Sequence, residues 1–219
     1  MVRYTNIINL IEQKKDIDLL TGFVIDHPEQ INSLVEVIRT NPKSIKYGCE
    51  KVLRSVSEKE PKRVYPYFDF FVALMDNSNS FLKWGAIMTI ANLVKADTDN
   101  KFEKIFERYF ALIKEPNMIT AANTIGHAWE IAKARPDLAD KIVDRILELE
   151  NTTYMHKGEV SPECKNIVRG AAIETFSKIF NLTGKKEKIT DFVKQQLTNT
   201  RPKVRKLAEA FMKNISPAV

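Results

Sequence analysis

The chain has 219 residues, of which 44% are apolar and 28% charged, with only seven Gly and nine Pro. Those proportions exclude a disordered or linker-rich chain and leave enough sequence to bury a sizeable core. The net charge of +6 rests on one stretch: nine Lys/Arg stand against three acidic residues between Lys185 and Lys213, and the rest of the chain balances. The two cysteines, Cys49 and Cys164, make no disulfide framework and point to a reducing, cytoplasmic setting. The longest apolar run, Phe70–Met75, is far too short for a membrane span, and the opening residues lack the apolar core of a signal peptide.

Residues 1–27 read as two short helices, near 4–14 and 17–26, that form an N-terminal cap or a degenerate repeat. Their apolar stripes are Ile7, Ile8 and Ile11, then Leu19, Leu20 and Phe23. From Pro28 the chain alternates a first helix (A), a short turn and a second helix (B). The first pair covers 28–57, with B opening at Asn41-Pro42, a cap followed by a proline tolerated in the first turn. The second covers 61–96, divided by Asn77-Ser78-Asn79-Ser80, and is expected as one A helix over 61–76 and one B helix over 79–96. The third covers 99–135, the fourth 136–182 and the fifth 186–215. Ser161-Pro162-Glu163 restarts a helix inside the fourth pair.

Each B helix carries one pattern, with apolar or small residues at offsets 0, +4, +8 and +11, which fall on one helix face. The copies are Ile45/Cys49/Leu53/Val56, Leu82/Ala86/Ile90/Leu93, Met118/Ala122/Gly126/Trp129, Val168/Ala172/Phe176/Ile179 and Val204/Ala208/Met212/Ile215. The small residue advances by 37, 36, 50 and 36 positions. A period near 36 with one long step is a helical repeat array with one insertion. The insertion falls at 151–161, a place where such arrays often add function. Gly48, Gly85, Gly126 and Gly170 lie within B helices, where glycine costs about 1 kcal/mol relative to alanine. Close approach of a neighbouring helix is the expected compensation for the three beside the small residue, Gly48, Gly85 and Gly170. No phosphate-binding glycine motif is present.

These pairs resemble HEAT repeats, whose second helix often reads V-R-x-x-A-x-x-A-L. Val204-Arg205-Lys206-Leu207-Ala208 and Val168-Arg169-Gly170-Ala171-Ala172 match that pattern well, and the first two copies match with Lys46 and Lys83 in place of Arg. The third copy has no basic residue there, so its register is open by one or two residues. The period is shorter than is usual for the class. The resemblance covers about 28–215 and implies an all-α, right-handed α-solenoid of about five helix pairs, taken as a single domain over 1–219. It also implies that Lys46, Lys83, Arg169 and Arg205 first form a structural ladder to acidic groups of neighbouring repeats. A weaker likeness is to the HEAT-like DNA alkylation-repair glycosylases, which are basic arrays of similar length. Their Trp-Asp-rich cleft has no counterpart here, since Gly85 follows Trp84 and Glu130 follows Trp129.

No residue set points to catalysis, a cofactor or a metal. His156 and Cys164 flank the insertion without the third or fourth ligand that zinc needs, and His127 near Glu130 reads as a surface contact. Exposed-looking B-helix positions are Tyr47, Trp84, Asn92, His127, Glu130, Arg169 and Lys206. With Lys203 and Arg205 they form the candidate binding set. Tyr47 and Trp84 hold equivalent positions in successive repeats, an aromatic pair suited to a peptide or a stacked base. The reading is a non-enzymatic scaffold that binds a protein or peptide along a concave B-helix surface. The alternative is nucleic-acid binding through residues 185–213, where the basic stretch is otherwise a solvated cap.

Overall fold

A computed structural model describes residues 6–215. Positions 4 and 5 of the first expected helix lie outside them. The chain divides into two compact units, one running through Asp99 and the other starting at Asn100. No helix among the described residues is long and apolar enough to cross a membrane.

In the first unit, α1 (Ile7–Glu12) and α2 (Ile17–Asp26) precede α3 (Gln30–Thr40) and α4 (Ile45–Lys59), the first A/B pair. Helix α4 starts three residues later than the Asn41-Pro42 signal suggests. The Asn41 side chain accepts the Lys43 N–H (2.8 Å) in a local turn, so the helix begins only beyond it. The second A segment, read as one helix over 61–76, is broken. It runs as α5 (Pro61–Val64), a 3₁₀ turn at Tyr65–Tyr67 and α6 (Phe68–Leu74). Pro66 has no N–H to donate and its ring crowds the preceding turn, which narrows the helix there. Helix α7 (Ser80–Leu93) is its B partner and packs on both α4 and α6.

The second unit holds α8 (Lys101–Ala111), α9 (Met118–Ala134), α10 (Ala139–Leu147), α11 (Pro162–Ile179), α12 (Lys186–Gln195) and α13 (Pro202–Ile215). The B helices stack side by side, α9 on α11 and α11 on α13. The signature accounts for their buried faces. Cys49, Leu53 and Val56, then Ala86, Ile90 and Leu93, then Val168, Ala172, Phe176 and Ile179 are all 0% exposed. The third copy is displaced by one residue. The buried positions on α9 are Ala121, Ile125 and Ala128, whereas Ala122, Gly126 and Trp129 are half-buried. Burial raises the Cys49 thiol to about 12, so it behaves as an inert apolar group.

Polar stitches join the stacked B helices. Asn92 Nδ2 donates to Ser57 Oγ (3.0 Å) between α7 and α4. Thr175 Oγ1 donates to the Ile125 carbonyl (2.8 Å) between α11 and α9. Asn199 Nδ2 donates to Asn166 Oδ1 (2.9 Å) between the turn before α13 and α11. Each satisfies polar groups that would be costly to bury alone.

The insertion contains a β-hairpin, β1 (Met155–His156) and β2 (Glu159–Val160), paired antiparallel. Its two turn residues, Lys157 (φ 51°) and Gly158 (φ 86°), are both left-handed, as a two-residue hairpin turn requires. The hairpin is fastened at its base. The Tyr154 hydroxyl donates to the Ile113 carbonyl (2.9 Å), and the Met155 N–H donates to the Pro116 carbonyl (2.9 Å).

Candidate functional site

The N-terminus of α7 places the most exposed aromatic group among the described residues of the first unit. Asn79 caps α7 through Oδ1, which accepts the N–H groups of Phe81 (3.1 Å) and Leu82 (3.3 Å). Its Nδ2 donates to the Tyr47 hydroxyl on α4 (2.7 Å). One side chain therefore starts α7 and fixes Tyr47 against its first turn. The Phe81 ring lies between the two predicted aromatics. Its centroid is 5.8 Å from Tyr47 and 5.5 Å from Trp84, the latter edge-on. Phe81 is 66% exposed, while Tyr47 and Trp84 are half-buried. Lys46 Nζ stands 5.5 Å from the Tyr47 centroid, within cation–π reach. Met88, also half-buried, lies one turn beyond Trp84 on the same face. The expected pair is thus a triad linked through Phe81, which the B-helix pattern did not select. Phe81 stands one position before the signature, where Ser44, Ile167 and Lys203 stand in other copies.

The other candidates have different surroundings. Asn92 is only 3% exposed and serves the stitch to Ser57, so its assignment to the surface is corrected. On α9, His127 and Glu130 are half-buried, and the His127 ring donates through Nδ1 to the Asn123 carbonyl (3.0 Å). Arg169 grips Glu150 in a two-bond fork, Nε to Oε1 at 2.8 Å and Nη2 to Oε2 at 2.5 Å. It also donates to Asn166 Oδ1 (3.2 Å). The Glu150 carboxylate beside it raises the Arg169 pKa. Glu150 closes the A segment of the same repeat, so this rung joins A to B within one repeat. Arg205 donates to the carbonyls of Asn199 (2.7 Å) and Thr200 (3.2 Å) in the turn before its own helix. Of these two ladder positions, Arg169 thus meets an acid of its own repeat and Arg205 meets backbone carbonyls.

Four of the nine cations in the basic C-terminal stretch meet acidic groups from outside it. Lys185 and Lys188 share Asp144, Arg201 pairs with Glu163, and Lys203 lies 3.9 Å from Glu174. These three acidic residues precede the stretch in sequence. Lys206 is exposed and forms no ion pair or hydrogen bond among the described residues. At the insertion, His156 is exposed and Cys164 is buried. No group of three or more His, Cys, Asp or Glu able to hold a metal ion occurs among the described residues.

One buried charge lies behind the aromatic triad. Glu50 on α4 is 7% exposed and accepts a hydrogen bond from Arg54 Nε (3.2 Å). Burial raises its pKa above the ordinary 4.5, with Arg54 opposing. The unfolded chain therefore releases this proton first, and stability falls as pH rises from the ordinary carboxylate value through the folded one. Glu50→Gln, which keeps an acceptor for Arg54, should be more stable than the parent at neutral pH. That advantage should vanish as pH falls below the ordinary carboxylate range. Urea melts across that range test this. A variant less stable at neutral pH would mean that the Arg54 pairing outweighs the burial cost.

No family model and no curated protein matches this sequence. Solved structures do. A designed armadillo repeat protein in complex with the peptide (KR)4 superposes with a TM-score of 0.58 at 11% identity, over 95% of this chain and 91% of that one. A second designed armadillo repeat protein gives 0.54 at 13% identity, covering 96% and 92%. An engineered protein gives 0.54 at 15% identity, covering 95% and 86%. The fold is thus an all-α solenoid of the HEAT/armadillo kind.

Proposed function

We propose that this chain is an interaction scaffold that binds a peptide segment of a protein partner on the exposed faces of its B helices. In the first unit the contact is at Tyr47, Phe81 and Trp84. The single observation that carries this reading is the 66% exposure of Phe81 between two further aromatic rings. A large aromatic left in water by a fold with ample apolar core is an anchor for something else. The solenoid supports the reading, because stacked helices give a rigid face that loses little freedom on binding. The designed neighbour with a bound peptide shows that such a fold can serve this use. Nucleic-acid binding draws less support, since four cations of the C-terminal stretch, Lys185, Lys188, Arg201 and Lys203, already face Asp144, Glu163 and Glu174.

Selection from a random displayed-peptide library, followed by fluorescence anisotropy with an enriched peptide, tests the proposal. Phe81→Ala should lower the affinity about tenfold or more, as truncating an interface anchor does. Trp84→Ala should act in the same direction. The fold should persist in Phe81→Ala, because that side chain is mostly in solvent. Enrichment of no peptide, or unchanged affinity in both variants, would overturn it.

A further inference from the structure

Four lysines of the first unit gather around two cavities beside its first helices. These adjoining cavities lie between α1–α2 and α4, and both are lined by Ile11, Lys14 and Gly48. Their floor is apolar, with Ile17 on one side and Ile45 on the other. Ile11 rests on bare α4 backbone, since a Cβ at Gly48 would meet Ile11 Cγ2 at 2.5 Å. Around this trough stand Lys14, Lys15, Lys43 and Lys51, all exposed. None of the four forms an ion pair among the described residues, unlike Lys59, Lys185 and Lys188. Of the two acidic residues in the lining, Asp16 is occupied: its Oδ1 accepts the N–H groups of Asp18 (2.8 Å) and Leu19 (3.4 Å). That carboxylate keeps its charge, so Glu12 and Asp16 both oppose the four lysines, and Glu50 acts on Lys51 as well; the lysines still outnumber the acidic groups. The positive end of the α4 dipole, at Ser44 and Ile45, adds to the same field.

Lys14 also occupies its position at a cost. It ends α1 with φ at 54°, a left-handed conformation that glycine or asparagine adopts more readily. A side chain in such a place is a reason to ask what that side chain does.

We propose that this trough is a docking site for an acidic protein segment that presents at least two carboxylates beside one leucine-sized apolar side chain. Charge complementarity sets the sign of the partner. The isoleucine floor favours a peptide over a phosphodiester backbone, which has no apolar side chain to bury. The site is separate from the aromatic triad and stands or falls independently of it.

The test uses the full chain and fluorescein-labelled synthetic peptides in which Glu and Asp surround one Leu. One control has Ser for Leu and another has Lys for every acidic residue. Anisotropy should show binding of the first peptide at about 50 mM salt and a clear loss at about 200 mM. Both control peptides should bind at least several-fold more weakly. Lys14→Glu combined with Lys43→Glu and Lys51→Glu should weaken binding about tenfold or more, since repulsion replaces attraction. Phe81→Ala should leave it unchanged, which separates this site from the aromatic one. Lys14→Gly should raise the thermal midpoint while lowering affinity, a combination that a purely structural lysine would not give. No binding at low salt, or equal binding by the triple variant, would overturn the proposal. So would equal affinity for single-stranded DNA, or self-association of the chain abolished by the triple variant.

Discussion

Substituting alanine for Gly85 should destabilise the first unit by about 1–3 kcal/mol, although alanine is intrinsically the better helix residue by about 1 kcal/mol. The reason is Glu50. A Cβ added at Gly85 would stand 2.7 Å from Glu50 Cγ and closer still to its carboxylate. The carboxylate cannot simply swing away, because it is buried and receives the Arg54 hydrogen bond. Moving it either breaks that bond or forces α7 off α4, and an unpaired buried charge costs several kcal/mol. A double-mutant cycle in urea isolates this cause. In a Glu50→Ala background the obstacle is gone, so Gly85→Ala should become neutral or stabilising by up to about 1 kcal/mol. If the two substitutions were additive, the clash would not be the origin of the cost.

Gly85 also shows how far the sequence could be read. A glycine inside a strongly patterned helix announces close approach, but the approaching group stands 35 positions earlier, and no local pattern names it. The same limit holds elsewhere. The B helices are legible because their burial is one-sided and repeats at fixed offsets. The third copy slips by one residue because α9 has adjacent Ala121 and Ala122, and both fit a small-residue position. In that register Trp129 reads as core. It is half-buried, and Lys178 Nζ lies 4.2 Å from its ring centroid. Asn92 reads as exposed because Ser57, the partner that draws it inward, comes from the preceding repeat. The basic stretch reads as unopposed for a similar reason, as Asp144, Glu163 and Glu174 lie 29 to 44 residues before the cations they meet. Tyr47 and Trp84 can be placed together because they hold equivalent repeat positions. The lysines around the N-terminal trough cannot, since they come from a helix end, a turn and a second helix face.

Phe176→Ala should cost the second unit about 3–5 kcal/mol, the usual penalty for emptying a buried phenylalanine site. Phe176 is fully buried at offset +8 of its copy, with the Phe192 ring of α12 set edge-on at 5.6 Å. Truncation removes both the buried area and that ring contact, and two helices held by their own turns cannot close the gap. Met212 holds the same offset in the last copy but is only half-buried, because α13 ends the described array and its outer side faces solvent. Met212→Ala should therefore cost about 1 kcal/mol or less, below the range for fully buried methionine. Equivalent positions in a repeat thus differ in energy according to how many neighbouring helices surround them. Urea midpoints of the two variants, with hydrogen exchange at the amides of α11 and α12, measure the difference. Phe176→Leu, which refills most of the space, should recover most of the loss. Equal penalties at Phe176 and Met212 would show that the signature residue itself sets the stability of each repeat. A large gap would show that burial does.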